Sequence, residues 1–155
     1  MAEIDIGPDD PKRSDVWSML TLSDKYLQAL YPPESNHLVD ENALAAPEAV
    51  LLAARRNGYL LGIIAFRVIS PGHAEMKRMF VHPEARGAGL GRRLLHALET
   101  EARERNIGQV SLETGIKQPE AIGLYRTSGY QECPPFGTYK PDPLSLFMTK
   151  SLNPN

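Results

Sequence analysis

The hydrophobic positions of the chain repeat with two different periods, which predict alternating strands and helices. Short apolar runs between turn residues predict strands at Glu3–Gly7, Ala49–Arg55, Tyr59–Ile69, Ala74–Val81, Gln109–Thr114 and Leu144–Lys150. Apolar residues at helical spacing predict helices at Lys12–Tyr31, Val39–Ala46, Leu90–Ala102 and Pro119–Thr127. Strands with interposed helices indicate a mixed α/β sheet.

Turn residues connect three of these strands directly. Asn57-Gly58 is a strong hairpin signal, and Ser70-Pro71-Gly72 forms the next turn. We therefore expect three antiparallel strands that lead into the segment after Val81.

That segment combines a strand end, a glycine-rich turn and a helix start. His82-Pro83 ends the strand because proline has no N–H to donate, and Arg86–Gly91 (RGAGLG) follows. Alternate glycines allow close backbone approach to a ligand, and a helix start presents unpaired N–H groups with a positive dipole end. The segment therefore predicts an anion site, for which phosphate is the usual ligand.

Length and charge narrow the classes of protein that the chain can represent. The 155 residues suit one domain, residues 1–155, and the net charge of −2 predicts no general attraction to nucleic acid or membranes. No apolar run reaches the length of a membrane span, and the acidic N-terminus lacks the pattern of a signal peptide.

The single cysteine, Cys133, cannot form an internal disulfide, so we expect a cytoplasmic protein. The histidines show no metal-binding spacing, and we expect no metal.

The spacing of the glycine turn excludes two familiar phosphate-binding motifs. Gly91 is followed by two arginines, which does not match a P-loop, and Gly-x-Gly-x-Gly is not the dinucleotide fingerprint. Arg86, Gly89 and Gly91 instead fit Arg-x-x-Gly-x-Gly. This pattern resembles the pyrophosphate loop of the GNAT superfamily, the acetyl-CoA-dependent N-acyltransferases.

A second stretch resembles the same family. Gln118-x-x-Ala121-x-x-Leu124-Tyr125, followed by Gly129-Tyr130, is similar to its Asn-x-x-Ala-x-x-Leu-Tyr helix with a following Gly-Phe or Gly-Tyr. Gln118 stands where asparagine is usual, and a longer amide has a different reach.

The resemblance implies a GNAT fold and acetyl-CoA as acyl donor. The fold would be a central, mostly antiparallel twisted sheet of six to seven strands flanked by about four helices, in a single acetyltransferase domain. The implied donor-binding residues are Met79, Phe80, Val81, Arg86, Gly87, Ala88, Gly89, Leu90, Gly91, Arg92, Gln118 and Tyr125.

The family also implies roles in proton transfer. An amine with a pKa of about 10 is protonated at neutral pH and must lose a proton before it attacks. Glu75 is the candidate base, unless ordered water removes the proton, and Tyr125 holds the family's general-acid position. A backbone N–H near Phe80 or Val81 would stabilise the thioester oxygen. The alternative to catalysis is a structural role for both residues. Glu75 would then face solvent or form an ion pair with Lys77 or Arg78, and Tyr125 would be an aromatic residue of the core.

In this fold the acceptor site is usually built near the first two helices and the loop before the last strand. The candidate contacts to the acceptor are Tyr31, Asn36, Glu75, Tyr139 and Asp142. The alternative interpretation is that the loops carrying these residues are rigid surface loops without a binding role. The residues from Gly137 to Ser145 are similar to a tail found in a group of uncharacterised bacterial acetyltransferases.

Three functions remain open on this basis. The first is N-acetylation of a small-molecule primary amine in a ternary complex. The others are acetylation of protein lysines or N-termini, and a non-catalytic acyl-CoA-binding sensor. An exposed last strand would allow a homodimer.

Overall fold

A seven-stranded sheet forms the centre of the computed structural model, which describes residues 3–32 and 44–153. The strands are β1 (Asp5–Pro8), β2 (Ala49–Arg56), β3 (Tyr59–Ser70), β4 (His73–Val81), β5 (Gln109–Gly115), β6 (Gln131–Glu132) and β7 (Ser145–Ser151). The helices are α1 (Ser14–Leu30), α2 (Leu90–Glu104) and α3 (Pro119–Thr127), with a 3₁₀ turn at Pro83–Ala85. The order of strands across the sheet is β1-β2-β3-β4-β5-β7-β6.

All neighbouring strands are antiparallel except β4 and β5. These two are parallel because α2 crosses over between them. The predicted mixed, mostly antiparallel sheet is confirmed. The described residues contain three α-helices where about four were expected, and most of the predicted helix Val39–Ala46 lies outside them.

The two faces of the sheet carry separate apolar cores. On one face, Val16 and Leu20 of α1 pack against Ile63 and Phe80. The other face packs against α2 and α3, with a larger cluster that includes Leu94, Leu98, Met76, Leu112 and Tyr125. Because side chains alternate along a strand, successive residues of β5 and of β4 before its bulge face opposite sides of the sheet. No helix in the described ranges is long and apolar enough to cross a membrane.

The last strand is not the edge that the sequence suggested. β7 lies between β5 and the two-residue strand β6, which pairs with Met148 and Thr149. The backbone N–H of Cys133 donates to Phe147 O at 2.9 Å and extends this cover. The prediction of an exposed last strand, which was the basis for expecting a homodimer, is therefore wrong. The sequence analysis did not identify the short strand β6, which pairs with β7.

A bulge in β4 changes the course of the sheet. Lys77 pairs with Ala65 and Phe80 with Ile63, so Arg78 and Met79 together stand opposite one residue of β3. Arg78 takes the left-handed conformation, with φ of 60°. Such backbone costs a non-glycine residue about 1–2 kcal/mol, and a bulge bends its strand. The guanidinium of Arg78, with its side chain 6% exposed, forms an ion pair with Asp24 of α1.

We expect Asp24→Asn to destabilise the protein by about 1–2 kcal/mol, since a largely buried guanidinium then loses its charged partner. Urea unfolding would measure the difference, with the exposed Glu104→Gln on α2 as the control. Equal stability of the two variants would contradict a role for the ion pair in holding the bulge.

Candidate active site

A gap opens between β4 and β5 in the middle of the sheet. Their pairing starts at His73–Gln109 and stops at Met76–Leu112, although β4 continues to Val81 and β5 to Gly115. The stop lies directly before the bulge, which turns β4 away from its neighbour. Backbone groups beyond Met76 on this edge face the gap, where they can pair with a ligand.

The glycine turn opens at one end of the gap. Gly87 and Gly89 have φ of 89° and 74°, conformations that L side chains rarely adopt. A Cβ atom on either would meet no other atom within 4 Å, so the space in front of the turn is open. Gly89 is the N-cap of α2 and has no side chain to satisfy the first N–H groups. These N–H groups can therefore bind an anion.

The third glycine has a packing role. A Cβ on Gly91 would approach the side chain of Leu124 at 3.3 Å, tighter than ordinary contact. Gly91 thus lets the start of α2 lie close against α3. Arg92 strengthens this contact through hydrogen bonds to Thr127 at 2.8 Å and Ser128 at 3.2 Å.

A cavity of about 680 Å³ joins the glycine turn, the gap, α1 and the start of α3. All predicted donor-binding residues except Ala88 line it: Met79, Phe80, Val81, Arg86, Gly87, Gly89, Leu90, Gly91, Arg92, Gln118 and Tyr125. Ala88 lies in the turn but does not line the cavity. The guanidinium of Arg86 lies 5.3 Å from the ring centre of Phe80 and donates to Val81 O at 3.0 Å.

Tyr125 lies on the α3 wall of this cavity. It is only 5% exposed, and its ring meets that of Tyr130 edge-on, with 6.0 Å between centres. Burial raises the pKa of Tyr125, so the phenol stays protonated at neutral pH. Within the part of the chain that the structure describes, its hydroxyl has no hydrogen-bond partner. The hydroxyl is therefore a candidate hydrogen-bond donor to a ligand in the cavity.

Comparison with known proteins matches this architecture to one family. Residues 16–130 fit the family model for acetyltransferases of the GNAT type. The chain belongs to the GNAT family. The fold and the resemblance expected from the glycine turn and the Leu-Tyr helix are therefore confirmed, and this GNAT protein is an acyltransferase.

Similar proteins span most or nearly all of the chain. An IAA acetyltransferase of Azospirillum brasilense is 46% identical over 153 residues, covering 98% of this chain and 100% of the relative. The uncharacterized N-acetyltransferase YsnE of Bacillus subtilis is 35% identical, covering 78% of this chain and 82% of the relative. The crystal structure of a Klebsiella pneumoniae protein assigned as an acyl-CoA N-acyltransferase has a TM-score of 0.83 at 34% identity, covering 99% of this chain and 100% of that one.

In this GNAT protein Glu75 is buried and does not line the cavity. Its side chain is 1% exposed. Tyr139 donates to Oε2, Lys77 Nζ lies 3.2 Å from the same oxygen, and Arg67 lies 3.4 Å from Oε1. Of these partners, Lys77 lines the cavity. The structure thus gives Glu75 the ion pair with Lys77 that the sequence offered as the alternative to catalysis.

The predicted acceptor contacts are only partly brought together. Tyr31 lines the cavity, whereas Tyr139 and Asp142 do not. Asp142 Oδ1 accepts the N–H of Leu144 at 2.8 Å, as in a turn. Asn36 lies outside the described residues.

Glu113 is a cavity residue that the sequence analysis missed. It lies on β5, and its carboxylate accepts the hydroxyl of Ser145 at 2.7 Å. The signal was present in the alternation of β5, where Val110 and Leu112 are buried in the α2 core. Ser111 and Glu113 must then face the α1 side, next to Lys77.

We expect Gly89→Glu to abolish coenzyme A binding, because the new carboxylate would occupy the open space before the helix start and repel phosphate. Isothermal calorimetry with coenzyme A checks this. Gly72→Glu is the matched control, since Gly72 is an exposed turn glycine with φ of 76° and the same open surroundings. Equal binding by both variants would contradict the anion site.

Proposed function

We propose that the chain, acting as a single domain of residues 1–155, transfers an acetyl group from acetyl-CoA to the primary amine of a small molecule, by direct attack in a ternary complex. Membership of the GNAT family and 46% identity to an IAA acetyltransferase support acetyl transfer to a small molecule. The observation that supports the proposal most is the joint lining of one cavity by the glycine turn, the open edge of β4, Glu113 and Tyr125.

The donor would lie along the glycine turn and the gap. The N–H groups at the start of α2 would bind the pyrophosphate, and the unpaired edge of β4 at Met79–Val81 would pair with the amides of the pantetheine arm. A backbone N–H near Phe80 would donate to the thioester oxygen, which gains negative charge during attack. The open space before Gly87 and Gly89 and the end of pairing at Met76 suit this fit.

Glu113 is the proposed base, since Glu113 lines the cavity whereas Glu75 does not and has a side chain that is only 1% exposed. It takes a proton from the substrate ammonium, and the neutral amine attacks the thioester carbon. A C–N bond forms, the C–S bond breaks, and the departing thiolate takes the proton of the Tyr125 hydroxyl. The attacking nitrogen still carries one proton more than an amide does. It loses this proton through water to the Tyr125 phenolate, and Glu113 releases its own proton to solvent.

Glu75 is assigned a positioning role in this scheme. Its carboxylate holds Lys77 on the cavity wall and Tyr139 in the loop before β7. Burial lowers the pKa of Lys77, while the negative charge of Glu75 opposes this. The sequence-based prediction that Glu75 itself is the base remains testable against this assignment.

We expect Glu113→Gln to lower kcat by about 10²–10⁴-fold without loss of folding, because the amide can still accept the Ser145 hydroxyl but cannot take a proton. The assay is thiol release from acetyl-CoA with a panel of small amines at several pH values. Glu75→Gln is the companion variant. A full loss in Glu75→Gln with activity retained in Glu113→Gln would restore Glu75 as the base.

We expect Tyr125→Phe to lower kcat by about 10–100-fold, since the thiolate then leaves without a positioned proton donor. Coenzyme A affinity should stay near that of the wild type, because the ring and its packing are kept. Tyr59→Phe, at an exposed tyrosine of the hairpin, is the control. Unchanged kcat in Tyr125→Phe would contradict its role as acid.

The same assay separates the other functions. Acetylation of lysines or N-termini in intact proteins, with no small amine accepted, would favour a protein substrate. Tight acetyl-CoA binding with no transfer to either class would favour the non-catalytic sensor.

A further inference from the structure

Tyr31, the residue that follows α1, forms hydrogen bonds with the segment that connects β5 and α3. It is 7% exposed and lines the cavity. Its hydroxyl accepts the backbone N–H of Lys117 at 3.0 Å and donates to Oε1 of Gln118 at 3.4 Å. In return, Lys117 Nζ donates to Leu30 O at 3.1 Å. The end of α1 and the residues directly before α3 thus each donate hydrogen bonds to the other.

Gly115 makes this contact possible. A Cβ at position 115 would lie 1.8 Å from the Tyr31 hydroxyl oxygen and 2.1 Å from the ring carbon that bears it. The glycine is needed here for close approach of the tyrosine. The backbone N–H of Gly115 also donates to Gln118 Oε1 at 3.3 Å.

These contacts determine which way the Gln118 amide faces. A backbone N–H can only donate, so the atom that receives the Gly115 N–H must be the amide oxygen. That oxygen also receives the Tyr31 hydroxyl. The Nε2 group is then the remaining donor of a cavity residue, and among the described residues it has no hydrogen-bond partner.

We propose that Tyr31 is a positioning residue for the acyl donor: it holds the Gln118 oxygen so that Nε2 donates to an amide carbonyl of the pantetheine arm. The inference rests on the proposed function, because it requires coenzyme A in the cavity. It changes the role of Tyr31 from the acceptor contact expected from the sequence to a support of the donor site. It also explains how glutamine serves where the family usually has asparagine, since the longer side chain is held by Tyr31 and Gly115.

The test compares two ligands in each variant by calorimetry: coenzyme A, and 3′-phospho-ADP, which lacks the pantetheine arm. Tyr31→Phe keeps the ring over Gly115 but removes the hydroxyl. We expect a loss of about three- to tenfold in coenzyme A affinity, the range of one hydrogen bond, and a change of less than about twofold for 3′-phospho-ADP. The ratio of the two affinities does not depend on the folded fraction of the variant.

A double-mutant cycle with Gln118→Ala tests whether Tyr31 acts through Gln118. Tyr31→Phe should add less than about twofold in the Gln118→Ala background, because the amide that it positions is gone. Gln118→Glu keeps an oxygen for Tyr31 and Gly115 but removes the Nε2 donor, and it should lose coenzyme A affinity as Gln118→Ala does. Tyr59→Phe, the control, should change the affinity for neither ligand.

Unchanged coenzyme A affinity in Tyr31→Phe, equal losses for both ligands, or independent effects in the cycle would each overturn the inference. Any of these results would leave the proposed function intact provided that the wild type binds coenzyme A. Failure of the folded wild type to bind coenzyme A would instead overturn the proposed function itself.

Discussion

The left-handed backbone at Arg78 is the constraint on which the rest of the site depends. Pairing of β3 with β4 absorbs one extra residue there, whereas pairing of β4 with β5 ends at Met76. The sheet therefore stays continuous on one side of β4 and opens on the other. The left-handed conformation is unfavourable for arginine. The ion pair of Arg78 with Asp24 of α1 offsets part of this conformational free energy and depends on the packing of α1 against the sheet. An opening produced in this way is a feature of the backbone of the fold itself.

The gap also separates the two proposed proton-transfer groups. Leu112 of β5 packs in the core shared with Tyr125, so its neighbour Glu113 faces the α1 side of the sheet. The proposed base and the proposed acid thus reach the same cavity from opposite faces. Addition of an amine to a thioester carbon and departure of the thiolate need proton transfers at two different atoms. The alternation of a single strand provides that separation.

Local signals explain why much of the fold could be predicted from the sequence. The glycine turn, the apolar period of α2 and the Leu-Tyr helix each depend on residues close together in the chain, and the structure has them at the predicted positions. The surroundings of Glu75 could not be predicted, because Tyr139 and Arg67 reach it from a distant loop and a neighbouring strand. The role of Gly115 could not be predicted either, since only the folded chain brings Tyr31 against it. The strand β6, two residues long, carries too short a pattern to detect.

The central claim is that the opened edge of β4 and the glycine turn together bind the acyl donor. Backbone amide hydrogen exchange with and without acetyl-CoA tests it most directly. We expect slower exchange within Met79–Val81 and Gly87–Gly91 when acetyl-CoA is present, because the N–H groups of these segments that face the gap gain ligand partners. The hairpin at Asn57-Gly58 should exchange at the same rate in both states. Protection confined to other segments, with unchanged exchange along β4 and the turn, would contradict the account.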